Sequence, residues 1–398
     1  MKYIVLVPDG AADLPVERYG GLTPLQAAAT PNMDFLAKNG ICGTAVTIPP
    51  GMPAGSDVAN CSILGYDPRL FYSGRGPLEA ASMGIGLGPE DVAFRCNLVT
   101  EESGVLVDFS AGHISSQEAA ELIAFLNERL GDATGSFYAG ISYRHLLVLS
   151  GNRFLKTRCI PPHDVVGSRV KEISPQGEGA EQLVSLMEKS RPLLTDHPVN
   201  KTRLDRSEKP ANMIWPWGQG KTPALPTIPE KYGIEGSIIT AVDLLKGLGL
   251  LAGLERIHVP GATGYYDTDY EAKGLYAVEA LSCKDLVYVH VEAPDEAGHE
   301  GDWEAKVKAI ECFDRLTVAT LLNEISRISE DFRFLLLPDH ATPVEARTHT
   351  ADAVPFALYG LDIIPDAGSS FDEEGVLGGS LLNYPGWQLL DLAIGSQS

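Results

Sequence analysis

The sequence predicts an α/β fold: a mainly parallel sheet with helices on both faces, interrupted by an inserted, smaller α/β domain. Three observations carry this prediction. Short apolar, β-branched runs at Tyr3–Val7, residues 286–293 and Phe332–Leu337 read as strands buried on both faces. Each run ends at a proline followed by an aspartate, in Pro8-Asp9-Gly10, Pro294-Asp295 and Pro338-Asp339-His340. Between about 91 and 230 the texture changes, with separate strands and helices that close in the proline-spaced stretch Thr222–Glu230.

In chain order, the first strand delivers Asp9. Thr23-Pro24-Leu25 starts a helix, and Thr30-Pro31-Asn32 caps a second that runs to about Asn39-Gly40. A loop rich in Pro and Gly, residues 48–60, then leads to Ser56 at the start of a helix. Such a position offers free N–H groups to a phosphate, and it equally suits a plain N-cap serine. Strands follow at Val92–Val99 and Leu146–Ser150, with a helix from Ser116 to about Leu130. A helix near Ile239–Gly247 and a strand at Glu255–Val259 resume the first sheet before the two later ligand-bearing strands. The domains expected are a discontinuous core, 1–90 with 235–398, and an insert, 91–234. The last residues, Gly395–Ser398, read as a frayed tail.

A chain of 398 residues with 44% hydrophobic and 21% charged residues reads as soluble and globular, with room for two domains. The net charge of −22 argues against a nucleic-acid partner, and an anionic substrate would need local positive charge. Six scattered Cys with no C-x-x-C pair are no disulfide framework and read mostly as buried thiols. The N-terminus reads as a strand and not a signal peptide, and no apolar stretch nears the roughly 20 residues of a membrane span. A cytoplasmic protein with no membrane partner is expected; its oligomeric state is left open.

Open α/β sheets bind ligands at the carboxyl ends of strands, where Asp9, Asp295 and Asp339 fall. His299, His340 and His349 lie close by in sequence. An Asp N-cap beside a surface His would explain any one of these pairs, but the recurrence over three strands points to a metal centre. Mixed carboxylate and imidazole donors suit zinc- or manganese-like divalent ions. Other motifs fail. Gly220-Lys221-Thr222 lacks the glycine a phosphate loop needs at 215, where Trp215 stands, and no apolar strand is expected before it. Gly84-x-Gly86-x-Gly88 lacks dinucleotide spacing, and Gly55-Ser56-Asp57 lacks that of a nucleophile elbow. The insert carries a polar set, Asp108, His113, Arg144, His145, His163, Asp164, Arg169 and Lys221, that could bind carboxylate and phosphate or simply be solvated.

Val-Pro-Asp9-Gly, Gly-Ser56-Asp, Pro-Asp295-Glu-Ala-Gly-His299 and Pro-Asp339-His340 with His349 together resemble the alkaline phosphatase superfamily. Tyr143-Arg-His-Leu-Leu, Pro161-Pro-His-Asp, residues 212–221 and Gly261-Ala-Thr-Gly narrow the likeness to the short, archaeal-type cofactor-independent phosphoglycerate mutases. The resemblance implies an alkaline-phosphatase-like core with a cap domain and two divalent metals, manganese first, with zinc, cobalt or magnesium as alternatives. One metal would be held by Asp9, Ser56, Asp339 and His340, the other by Asp295, His299 and His349. Ser56 would be the nucleophile, phosphorylated and then dephosphorylated, with no 2,3-bisphosphoglycerate required. His113, Arg144, His163, Asp164 and Lys221 would bind a small phosphorylated acid, over which the cap would close. A homoserine kinase-like phosphotransferase and a metal-dependent phosphatase remain alternatives at this stage.

Overall fold

The computed structural model describes residues 1–395, so the expected tail at 396–398 lies outside the described residues. The first strands in chain order are β1 (Lys2–Pro8), β2 (Ile41–Val46), β3 (Asp91–Glu102), β4 (Val105–Asp108) and β5 (Gly135–Ile141). Next come β6 (Arg144–Ser150), β7 (Thr157–Arg158), β8 (Gln176–Gly177), β9 (Met213–Gly220) and β10 (Gly236–Ile239). The last are β11 (Glu255–Arg256), β12 (Leu286–Val291), β13 (Phe332–Leu336), β14 (Val354–Gly360) and β15 (Leu381–Pro385). Two compact units emerge, one of Met1–Tyr72 with Ala224–Ser398 and one of Ser73–Pro223.

The first unit is built on an eight-stranded sheet in the order β11-β10-β12-β1-β13-β14-β2-β15. Its β11-to-β13 side is parallel throughout, while β14 runs antiparallel to both β13 and β2. Every residue of β12 is buried, as expected of a strand covered on both faces. On one face Ile4, Leu6, Val287 and Val289 pack with Met33, Ala277, Ile310 and Leu321 from surrounding helices. The opposite face of β12 presents Tyr288 and His290, two residues apart and therefore on the same side. Register places Leu6 beside both Val289 and Leu336, so β12, β1 and β13 end together and their following loops share one edge.

Three local readings change. The helix expected near Ile239–Gly247 is preceded by β10, and the helix itself is Asp243–Leu251. The strand expected at Glu255–Val259 makes ladder pairs only at Glu255 and Arg256. Ser56 begins its helix, Ser56–Ile63, as the first helical residue; Gly55 is the cap, so the N-cap reading of Ser56 is set aside.

The second unit carries a five-stranded antiparallel sheet in the order β4-β3-β6-β5, with β9 paired to β3. Helices Ser116–Leu130 and Ala180–Thr195 bury Leu122, Leu126, Leu183 and Met187 against its Phe94, Leu98, Leu147 and Ile214. The unit spans 73–223, whereas the sequence drew an insert over 91–234. The difference at its start comes from the helix Arg75–Ser82, whose Glu79 pairs at 2.7 Å with Arg95 of β3. β9 does run up to Gly220-Lys221-Thr222, contrary to expectation. Gly220 nevertheless pairs with Ala93 in the ladder and forms no phosphate loop.

All six Cys are free; Cys42, Cys61 and Cys96 are buried and Cys283 is exposed. Among the described residues no helix is long and apolar enough to cross a membrane.

Candidate metal centre and active site

Three strand ends and two helices bring the expected ligands together in the first unit. Asp9 follows β1 directly, and its N–H extends the ladder to the Val291 carbonyl at 2.9 Å. After β12 the chain enters helix Ala293–Glu300 at once, with Pro294 in its first turn. Asp295 and His299 are four residues apart on that helix and share a face, His299 Nε2 lying 3.4 Å from Asp295 Oδ2. His349 Nε2 approaches Asp295 Oδ1 at 3.4 Å and His299 Nε2 at 2.9 Å. These three residues form one potential metal group; Asp9, Asp339 and His340 form the other, with donor atoms in each within 4.8 Å of one another. His340 Nε2 lies 3.5 Å from both Asp9 Oδ1 and Asp339 Oδ2, and Ser56 Oγ lies 3.1 Å from the same nitrogen. The His340 and His349 rings stand 4.1 Å apart, so the two groups adjoin.

Close approach here requires glycine at position 10. Gly10 has φ +60°, and a Cβ on it would come within 2.5 Å of Asp295 Oδ1 and 2.6 Å of Thr342 Oγ1. Thr342 completes the frame: its hydroxyl bonds Asp295 Oδ1 and lies 3.1 Å from His340 Nδ1.

The electrostatics call for cations. Burial, with Asp339 and Asp295 alongside, pushes the Asp9 carboxyl well above the usual range. Burial acts likewise on Asp339 and Asp295, but nearby imidazoles and hydrogen bonds hold both below it. His299, bonded to Asp295, is pushed up to about 9 against the effect of burial. Asp9 Oδ1 is buried with no hydrogen-bond partner. An orphaned carboxylate oxygen beside two further buried carboxylates suits a divalent ion, and the oxygen and nitrogen donors fit manganese or zinc.

Several residues at the site went unread in the sequence. His290 Nε2 lies 3.1 Å from Asp9 Oδ2, and burial pushes the imidazole down to about 4, so it is neutral. Lys273 donates to the His290 carbonyl at 3.1 Å, and burial lowers its amine to about 8. The Tyr288 hydroxyl donates to Asn60 Oδ1, and Asn60 Nδ2 donates onward to Asp339 Oδ2. The alternation of β12 was the available signal, since Tyr288 and His290 are the polar-tipped residues of an otherwise aliphatic strand.

In the second unit, aromatic rings link four of the five residues implied for substrate. His163 stands edge-on to Phe109 at 6.0 Å and to Trp217 at 5.3 Å, with its Nε2 3.6 Å from Asp164 Oδ1. His113 stands edge-on to Tyr143, and the Arg144 guanidinium lies 5.9 Å from the same ring. Phe109 and Tyr143 join the two pairs, with ring centroids 5.6 Å apart. Lys221 instead donates to the Pro89 carbonyl. Two unforeseen cations, Arg75 and Arg95, lie over Trp217 at 5.6 and 4.8 Å.

The family model for 2,3-bisphosphoglycerate-independent phosphoglycerate mutase matches residues 37–200. A protein of that name from Methanosarcina acetivorans is 54% identical over 382 residues, covering 96% of each chain. Its namesake "mutase 2" from Methanothermobacter thermautotrophicus is 53% identical over 393 residues, covering 98% of this chain and 97% of its own. Among solved structures, the cofactor-independent phosphoglycerate mutase of Thermoplasma acidophilum superposes with a TM-score of 0.69 at 30% identity, covering 99% of both chains. A Pyrococcus horikoshii protein superposes with a TM-score of 0.85 at 30% identity, covering 100% of this chain and 98% of its own. Likeness at this level and over this length shows that the chain belongs to the 2,3-bisphosphoglycerate-independent phosphoglycerate mutase family.

Proposed function

We propose that the protein interconverts 3-phosphoglycerate and 2-phosphoglycerate without 2,3-bisphosphoglycerate, by way of a phosphoserine at Ser56. The observation that carries this reading is Ser56 Oγ at a helix start, 3.1 Å from His340 Nε2 and beside two acid–imidazole groups. Relatives more than half identical to this chain bear the mutase name.

Two divalent ions, one held by Asp9, Ser56, Asp339 and His340 and the other by Asp295, His299 and His349, would favour the serine alkoxide and offset phosphoryl charge. Ser56 Oγ attacks the substrate phosphorus and the bond to the glycerate oxygen breaks, leaving phosphoserine and free glycerate. The other glycerate hydroxyl then attacks the phosphoserine and restores Ser56. The proton Ser56 loses in the first step is matched by the one the glycerate oxygen gains. Ser56 begins helix Ser56–Ile63, and the N-terminal end of a helix favours a phosphate. Arg144, His113, His163, Asp164 and Lys221 are assigned to holding the glycerate through both steps, because an Arg fork matches a carboxylate and reorientation must occur without release.

The test is an enolase-coupled assay with 3-phosphoglycerate and manganese but no 2,3-bisphosphoglycerate, run beside homoserine with ATP. Formation of 2-phosphoglycerate with little free phosphate is expected. Phosphohomoserine, or free phosphate released at the rate of substrate loss, would overturn the reading.

A further inference from the structure

The Asn60 side chain joins three elements of the site. Its Nδ2 donates to the Ser56 carbonyl and to Asp339 Oδ2, both at 2.8 Å, and its Oδ1 accepts the Tyr288 hydroxyl. Asn60 and Tyr288 are 0% exposed. The amide has one permissible orientation. Turned over, it would face its oxygen toward a carbonyl and a carboxylate, and both are acceptors. The Tyr288 hydroxyl, held on β12, donates to the one acceptor that remains.

The same bonds fix the carboxylate of Asp339. Its Oδ1 accepts the N–H groups of Gly10 and His340 at 3.1 and 2.9 Å, which fills both lone-pair positions. Its Oδ2 accepts Asn60, which sets the direction of that oxygen. Asn60 also lies one helical turn beyond Ser56, on the same face of the same helix. A single amide therefore couples the helix that carries the serine to the Asp339 carboxylate.

We infer that Asn60, clamped by Tyr288, is a positioning residue that holds the Ser56-bearing helix in register with the Asp339 carboxylate for phosphoryl transfer. This rests on the reading of Ser56 as the nucleophile. Misplacement of a reacting group by about 1 Å costs on the order of 10²-fold in rate. Loss of a hydrogen bond that orients a metal ligand costs roughly 10- to 100-fold in metal affinity. An asparagine that merely saturated buried polar groups would affect the melting temperature and leave the folded enzyme's chemistry alone.

The experiment measures Ser56 labelling by rapid quench with phosphate-labelled 3-phosphoglycerate, together with KM, thermal melting and manganese retained after dialysis. Tyr288→Phe keeps the ring packing and removes only the hydroxyl. It should melt cooperatively, hold KM within about twofold, and label about 10-fold more slowly. Asn60→Ala should label about 100-fold more slowly and bind manganese at least about 10-fold more weakly. Native labelling rates and native manganese retention in Tyr288→Phe overturn the inference, whether or not Asn60→Ala folds. Ser56→Ala is the control: if it turns over at the native rate, the nucleophile assignment fails and the role given to Asn60 goes with it, whereas a native Tyr288→Phe beside an inactive Ser56→Ala overturns the role of Asn60 alone.

Discussion

Replacing Lys306 with Met removes a buried brace beneath the two ligand loops. Lys306 lies on helix Trp303–Cys312 and is 0% exposed. Its Nζ donates to Asp13 Oδ2 at 2.8 Å, to the Ala12 carbonyl at 3.1 Å and to the Thr342 carbonyl at 2.8 Å. Ala12 and Asp13 belong to the loop that carries Asp9, and Thr342 to the loop that carries Asp339 and His340. Burial lowers the Lys306 amine, and the Asp13 carboxylate works against that shift to hold it charged. Methionine preserves most of the stem and removes all three donors. Stranding the Asp13 carboxylate costs about 3–5 kcal/mol, and each abandoned carbonyl adds about 1 kcal/mol. At about 2–4 °C per kcal/mol for a unit of this size, the thermal midpoint should fall by roughly 10 °C or more. Asp13→Asn added to Lys306→Met removes the stranded charge and should recover part of the loss. A Lys306→Met protein that melts within about 2 °C of the native one refutes the brace.

Three further outcomes follow from the geometry. Burial holds His145 down at about 3, so between that pH and about 6.5 only the unfolded chain takes its proton. Stability is therefore complete above about pH 6.5 and falls in acid by about 1.4 kcal/mol per pH unit; His145→Phe should flatten this slope in denaturant titrations at pH 5 and 7. His299, pushed up to about 9 by Asp295, must lose its proton to ligate a metal. Manganese affinity by calorimetry should thus rise with pH up to about 9, and His299→Ala should abolish that dependence while weakening retention. Arg144→Ala should leave metal content intact and lower kcat/KM by about 10²-fold; unchanged kinetics would remove Arg144 from the substrate set.

The ligand-bearing strand ends were legible because β1, β12 and β13 are short, uniformly apolar runs that stop at proline. The aspartates after them could only sit at one edge of a parallel sheet. Tyr288 and His290 went unread because a strand buried on both faces has no exposed side to set them against, so their alternation with valines did not say which face meets a site. Asn60 was invisible for another reason: its partners Asp339 and Tyr288 are 279 and 228 residues away. Distance also hid how the second helix is capped. Thr30 makes no side-chain cap; Asp314 accepts the N–H groups of Asn32 and Met33 at 3.0 and 2.7 Å. β10 escaped because four residues are too few to show a period, and β14 is antiparallel through pairings that no local pattern encodes. The start of the second unit moved because the Glu79–Arg95 pair and the helix around it precede the glycine-rich turn that looked like a boundary.

The fate of a labelled phosphate at Ser56 tests the proposed chemistry most directly. With 3-phosphoglycerate labelled in its phosphate and neither ATP nor 2,3-bisphosphoglycerate present, the label should pass transiently onto Ser56, located by peptide mass analysis of quenched protein. It should then leave on 2-phosphoglycerate, and Ser56→Ala should eliminate both labelling and turnover while retaining its fold. Native-rate interconversion of the two phosphoglycerates by Ser56→Ala, or label that never reaches the serine during turnover, would contradict the phosphoserine route.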